Sequence, residues 1–241
     1  MRRDHKPYHI RLLINWARRF YTKWRLEPQF DSVGTDLEVV GPRGLEIYGA
    51  DIHLGDNVHI QTAKGQMSRL CTWPDGQGGN GRIDIGSHCL LTPGLQIVSA
   101  HHVTLGNNVM VASRVYISDA DWHDIYDRLD SPGPTAAVHL ADNVWLGEGV
   151  KVCKGVSIGE NTVVGAGSVV ASSLPANIVA AGNPAREIKK LDETIALNKR
   201  QTMFLDRESY DKTMAYLHYL NHKDNSYMGW LRELIWPSRK G

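Results

Sequence analysis

Between Ser118 and Arg128 the chain gathers side chains able to move protons. His123 stands among Asp121, Asp124 and Asp127, with Tyr126 and Arg128 close behind. An imidazole, with an ordinary pKa near ~6.5, is the side chain best suited to take a proton from a hydroxyl or amine at neutral pH. Type alone does not single this one out, because the chain holds 11 histidines. His53, His59, His88 and His139 occupy outward positions of a repeat, His101 and His102 an ordinary corner, and His5, His9, His218 and His222 the ends of the chain. By position alone, His123 reads equally as a general base and as a solvated loop residue.

The elements that must hold such a loop are written in a six-residue period. Leu140, Leu146, Val152, Ile158, Val164 and Val170 recur at that interval, each followed at once by a small residue or cysteine, and four places on by Val144, Val150, Val156, Thr162, Ser168 and Leu174. Six matches neither the 3.6 of a helix face nor the alternation of a single strand, so the register belongs to a coil with sides one hexad long. The pattern predicts an all-β solenoid in which the aliphatic mark and the residue four places on point inward. A larger block, aliphatic-x-aliphatic-small, extends it towards the N-terminus, starting at Ile52, Ile83, Val103, Val138 and Val156.

Composition narrows the class. A chain of 241 residues, 42% hydrophobic, is long enough for one core domain with appendages. Cys71, Cys89 and Cys153 form no closely spaced pair, so neither a disulfide framework nor a structural zinc site is expected. Cys89 falls on an inward position and Cys153 on a corner, and both read as packing residues. There is no run of 18 apolar residues and no signal-peptide pattern, so a cytoplasmic protein is expected.

A net charge of +1 conceals an asymmetry. Residues 1–25 carry Arg2, Arg3, Lys6, Arg11, Arg18, Arg19, Lys23 and Arg25 against Asp4 alone, a balance of +7 that leaves −6 elsewhere. From Tyr8 to Trp24 the residues Ile10, Leu13, Ala17, Phe20, Tyr21 and Trp24 recur at helical spacing. A basic amphipathic helix of this kind either braces the solenoid or lies peripherally on the inner face of a membrane, and the brace is the commoner use of an apolar helix face. After Arg186, helices are predicted around Glu193–Leu205 and Glu208–Leu220, and from Tyr227 to Trp236, where Pro237 stops the last. Trp230 and Trp236, near Arg239 and Lys240, suit either burial or a membrane interface. Nucleic-acid binding is not expected, because the basic residues form one amphipathic helix without a recognised motif.

The hexad run, the loop Asp121-Trp-His-Asp-Ile-Tyr-Asp127, the segment Asn143-Val-Trp-Leu-Gly147, the run Val164-Gly-Ala-Gly-Ser-Val-Val170 and the closing Ala181-Gly-Asn-Pro-Ala-Arg186 together resemble the hexapeptide-repeat acyltransferases. The subgroup they are most similar to contains the maltose and galactoside O-acetyltransferases, and the resemblance covers about residues 45–190. It implies a left-handed parallel β-helix with 18 residues per turn. The block starts are spaced 31, 20, 35 and 18, so loops leave the repeat near residues 63–81 and 119–137. Expected domains are a basic helix and lead-in over 1–44, the catalytic β-helix over 45–186 and a helical extension over 187–241.

The resemblance further implies a homotrimer with active sites between subunits, an acyl-CoA co-substrate, most often acetyl-CoA, no metal, and a loop histidine acting as general base on a sugar or lipid-linked glycan. His123 aligns with that base, and Asp121, Tyr126 and Arg128 of the same loop are candidates to touch substrate. Trp145, Gly147, Gly165, Ala166 and Arg186 match positions along the acyl-CoA cleft, with Lys189 and Lys190 near Arg186. Gly147, Gly165 and Ala166 also suit tight corners, and Trp145 also suits a subunit seam. Two departures stand out: Glu148 replaces a usual small residue, and Ala171-Ser172 replaces a Thr-Lys pair that serves the cofactor phosphate. The first excursion, with Cys71-Thr-Trp-Pro-Asp-Gly, has no counterpart in the small sugar acetyltransferases and would either select the acceptor or lie free on the surface. Rival expectations are an N-acyltransferase on an amino sugar, a γ-carbonic-anhydrase-like zinc protein using His102 and His123, and a non-catalytic trimeric scaffold.

Overall fold

Leu140, Leu146, Val152, Ile158, Val164 and Val170 are each at most 1% exposed in the computed structural model, which describes residues 5–236 apart from Gln77 and Asp130. Val144, Val150, Val156, Thr162 and Ser168 are buried beside them. The two hydroxyls in this apolar core are satisfied, Thr162 donating to the Pro175 carbonyl at 2.6 Å and Ser168 to that of Gly165 at 2.7 Å. Arg2, Arg3 and Asp4 of the basic run, and Pro237, Arg239 and Lys240 of the tail, lie outside the described residues.

Three sheets enclose that core. The first stacks Ser32–Val33, Ile52–Leu54, Arg82–Ile85, His102–Leu105, Val138–Leu140 and Ser157–Ile158. The second stacks Glu38–Val40, His59–Gln61, Leu90–Leu91, Met110–Val111, Trp145–Leu146, Val163–Val164, Ile178–Gly182 and Ala185–Lys190. The third stacks Leu45–Tyr48, Ser68–Thr72, Gln96–Ser99, Tyr116–Ser118, Lys151–Val152 and Val169–Val170. Up to Val169–Val170, neighbours within a sheet lie three strands apart in the chain, so the backbone visits the sheets in rotation, one strand of each per rung. Pairing is parallel throughout except for Ala185–Lys190, which turns back antiparallel on Ile178–Gly182. The large sequence blocks meet residue for residue: Ile52 pairs with Ile83, Ile83 with Val103, and Val103 with Val138.

The small residue after each block is required by close approach between rungs. A Cβ on Gly55, Gly86 or Gly106 would come within 2.6–2.7 Å of backbone atoms in the next rung. The left-handed conformation falls two residues later, at Asp36, Asn57, His88, Asn108, Asn143, Asn161 and Asn177, all with φ between 53° and 63°. Asparagine tolerates this region better than other non-glycine residues. Its amides add a ladder, Asn143 donating to Asn161 at 3.0 Å and Asn161 to Asn177 at 2.7 Å.

Three expectations need correction. The stack begins before residue 45: Ser32–Val33 and Glu38–Val40 already pair with Ile52–Leu54 and His59–Gln61, but each contributes too few aliphatics to show a period. The loop expected over 63–81 contains a strand, Ser68–Thr72, whose Leu70 is buried and which completes a rung of the third sheet. The excursion proper is Trp73–Gly81, closed by the Gly81 amide donating to the Trp73 carbonyl at 2.8 Å. Finally, Glu193–Leu205 is not a helix; only Arg200–Phe204 makes a 3-10 turn. Its long side chains bind along the stack instead, Lys199 to Glu160 at 2.8 Å and Arg200 to the His88 carbonyl at 2.9 Å, which holds the chain open.

Contacts divide the chain into Tyr21–Arg200, which holds the sheets, and a second compact unit of Met1–Phe20 with Gln201–Gly241. The second unit contains α1 (Tyr8–Tyr21, ending at the boundary), α2 (Arg207–His222) and α3 (Tyr227–Ile235). Tyr8 of α1 meets Tyr219 of α2 edge-on at 5.4 Å, and the Asn225 side chain donates to the Lys6 carbonyl at 2.9 Å. Asp206 and Ser226 cap α2 and α3 by accepting from the amides of Ser209 and Gly229. None of the residues of α1 is buried, and Leu13, Trp16 and Phe20 are exposed. No helix among the described residues is long and apolar enough to cross a membrane.

Candidate active site

His123 sits on the second excursion, which leaves the third sheet after Ser118 and rejoins the first at Val138. The excursion closes at a neck where Ala120 bridges Thr135 and the Ala136 amide donates to the Asp119 carbonyl at 2.9 Å. Asp119 anchors that neck. Its carboxylate is fully buried and accepts from the Ser99 hydroxyl at 2.6 Å, the Ala100 amide at 2.8 Å and the His101 amide at 3.0 Å. A buried carboxylate without a cation is sustained only by such donors, so the excursion is pinned to the rung before it.

Above the anchor, Trp122 adopts φ +70° and donates its indole N–H to the Ser118 hydroxyl at 3.1 Å. Gly133, at φ +67°, lies directly behind His123: a Cβ there would be 2.5 Å from the His123 carbonyl carbon. Asp124 turns the loop by accepting from the amides of Tyr126 at 2.8 Å and Asp127 at 3.0 Å, and those bonds hold its carboxyl below the usual carboxylate range.

The two excursions meet. Gly76 of the first approaches Pro132 and Ser131 of the second, and between them opens a cleft of about 520 Å³. Trp73 and Pro74 line one side, Trp122, His123 and Pro132 the other, with Val98 of the third sheet as floor. Trp73 is held against Tyr48, ring centroids 4.8 Å apart. His123, itself exposed, therefore stands at the wall of a largely apolar cleft.

The other expected residues are placed elsewhere. Asp121, Tyr126 and Arg128 are exposed and do not line the cleft; Asp121 pairs with Lys154 at 2.9 Å, and Arg128 donates to the Ile125 carbonyl at 3.1 Å. Trp145 stands half exposed on the outer face of the second sheet, stacked in register between Met110 and Val163. It lines a separate groove of about 300 Å³ with Leu90, Met110 and Glu148. Glu148 is paired with Arg114, so its charge is answered within the chain. Gly147 is demanded by stacking, since a Cβ would lie 2.6 Å from the Ala166 amide; at Gly165 it would lie 3.0 Å from the Ala181 Cβ. Arg186, at the turn-back, reaches the Ser172 hydroxyl at 3.5 Å. Within one chain, then, the His123 cleft and the Trp145 groove belong to different faces. His102 is engaged by Asp84 at 2.6 Å; burial pushes that carboxyl up, but hydrogen bonds from Arg82 and His102 outweigh it and hold it low.

Sequence reasoning missed Asp119 and Gly133, and it held Trp73 and Trp122 only as members of their loop segments. Only Gly133 carried a readable signal, the turn dipeptide Pro132-Gly133.

The family model for bacterial transferase hexapeptide (six repeats) matches residues 137–172. A putative acetyltransferase of Schizosaccharomyces pombe, C18B11.09c, is 40% identical over 170 residues, which is 70% of this chain and 80% of that protein. The chain belongs to the hexapeptide-repeat acyltransferase family. The galactoside O-acetyltransferase of Escherichia coli K12 is 37% identical to this hexapeptide-repeat protein over 113 residues, 46% of the chain and 55% of that relative, so the match spans little more than half of it. Among solved structures, a variant of AntD, an N-acyltransferase from Bacillus cereus in complex with dTDP-4-amino-4,6-dideoxyglucose and Coenzyme A, matches with a TM-score of 0.58 at 22% identity, covering 77% of this hexapeptide-repeat chain and 94% of AntD. At that identity the likeness concerns the fold.

Proposed function

We propose that this chain transfers an acyl group, acetyl in the first instance, from an acyl-CoA to a hydroxyl of a carbohydrate or glycolipid. The observation that carries the reading is the placement of His123 in a cleft walled by both excursions. We infer that the rotation of strands through three sheets is the left-handed parallel β-helix of the family, and that three copies stand side by side. In that assembly the His123 cleft of one copy faces the Trp145 groove of the next, which accounts for their separation within one chain. Trp145, Gly147, Gly165, Ala166 and Arg186 then run beside the acyl-CoA, with Arg186 among its phosphates.

The chemistry is direct transfer. A ring nitrogen of His123 takes the acceptor's hydroxyl proton as the oxygen attacks the thioester carbonyl. The carbon–sulfur bond then breaks, and the imidazolium returns the proton to the departing thiolate. Gly133 and the Asp119 anchor fix where the imidazole stands, and the indoles of Trp73 and Trp122 offer flat apolar faces to the acceptor.

Release of CoA thiol from acetyl-CoA, measured across a panel of sugars, amino sugars and lipid-linked glycans, tests the reading and separates O- from N-transfer. His123→Ala is expected to lower kcat/KM about a hundredfold or more at unchanged Tm, as for loss of a general base. Transfer at the parent rate in that variant rejects the assignment, and a monomeric protein in solution rejects the shared site.

A further inference from the structure

Amphipathic helices ordinarily turn their apolar side to their own protein. α1 does the reverse. At about 100° per residue, Leu13, Trp16, Ala17 and Phe20 share one arc, and all four are exposed, Trp16 to 64%. Tyr8, Arg11, Asn15 and Arg18 share the opposite arc, and all four are partly covered. α3, in the same compact unit, repeats the inversion: the Glu233 side chain is only 13% exposed, while Leu231, Leu234 and Ile235 stand open.

Charge identifies what covers this face. Arg19 is exposed on α1, Lys23 and Arg25 are exposed in the turn that follows it in the chain, and the first 25 residues of the sequence carry a balance of +7. Two such faces brought together would set like charges opposite one another. An anionic lipid surface answers both features at once, accepting apolar side chains at the headgroup boundary and cations among the phosphates. Since no helix among the described residues is long and apolar enough to span a bilayer, the contact is one of lying on the surface.

We propose that the helical unit docks on an anionic membrane surface through the outward apolar arc of α1. The face goes beyond the acyl-transfer reading and shares no residue with it, so activity on a soluble acceptor serves as an independent check of folding.

The test is flotation of the full chain with vesicles of phosphatidylcholine alone and of phosphatidylcholine with phosphatidylglycerol. The chain is expected to float with the anionic vesicles at low salt and to be released at about 1 M salt, where the screening length is ~3 Å. Arg19→Gln and Lys23→Gln are each expected to weaken partition about fivefold, the equivalent of ~1 kcal/mol per basic residue near such a surface. Trp16→Ser with Phe20→Ser is expected to abolish flotation while transfer to a soluble acceptor and oligomeric size remain as in the parent. Failure to float with anionic vesicles at low salt overturns the proposal, as does equal flotation with neutral ones. A serine variant that floats like the parent rejects the arc as the docking face. One that changes oligomeric size instead assigns the face to contact between copies.

Discussion

Replacing Gly133 by alanine probes whether His123 is held in place from behind. The added methyl would stand 2.5 Å from the His123 carbonyl carbon, 2.7 Å from its oxygen and 2.8 Å from the Asp124 amide nitrogen. Ordinary carbon contacts begin near ~3.5 Å, so the two strands of the excursion must part by about 1 Å. A displacement of that size at a catalytic group lowers a rate by about a hundredfold. The backbone adds its own cost, since φ +67° is left-handed and a Cβ there costs about 1–2 kcal/mol. That strain falls on an excursion pinned at its neck, so Tm is expected to fall by roughly 2–8 °C, at ~2–4 °C per kcal/mol. Steady-state thiol release and a thermal melt on the same preparation measure both. A variant within about threefold of the parent kcat/KM would show that the imidazole does not depend on this support, and activity lost only in proportion to the unfolded fraction would show that the effect is global.

Asp119→Asn keeps the shape but turns an amide towards donors, leaving the N–H of Ala100 or of His101 unanswered; a loss of about 1–3 kcal/mol, read as a lower Tm, is expected. Burial pushes the Cys89 thiol up to about 12, whereas Cys153 is exposed at its corner, a correction to its expected packing role. A maleimide reagent at pH 8 is accordingly expected to label Cys153 in the native protein and Cys89 only after unfolding, with fast native labelling of Cys89 the contrary result. The carboxyl of Asp124 is depressed by the amides of Asp127 and Tyr126. Its support of the loop is thus complete above the ordinary value of about 3.9 and lost as pH falls through the lower folded value. Hydrogen exchange is expected to show both amides protected at neutral pH and opening only in acid, below the ordinary carboxylate range, and amides as open at neutral pH as in Asp124→Ala would contradict it.

Most of the stack was legible because each rung repeats the same demand. An inward aliphatic every six residues, from Leu140 to Val170, leaves no other register that buries them all. Legibility fails where a rung is short of such marks, as at Ser32–Val33, or interrupted, as around Ser68–Thr72. His123 was found through its neighbours in sequence, but what holds it was hidden. Asp119 matters through donors 18–20 residues earlier, Gly133 through a contact across the excursion, and Trp73 through the meeting of two loops. None of these pairings is periodic. The helical segments show the converse limit, because spacing located the apolar arc of α1 but not the side on which it would lie.

The turn-back of Ala185–Lys190 on Ile178–Gly182 determines how the structure ends. A parallel stack has no intrinsic last rung, and its open edge is a template for end-on polymerisation. Here the chain occupies that edge in the second sheet with its own reversed strand, whose residues after Ala185 are exposed and include Arg186, Lys189 and Lys190. The reversal that brings Arg186 to the stack therefore also guards it from fibril growth at that edge, so a chain shortened before Ala185 would lose both.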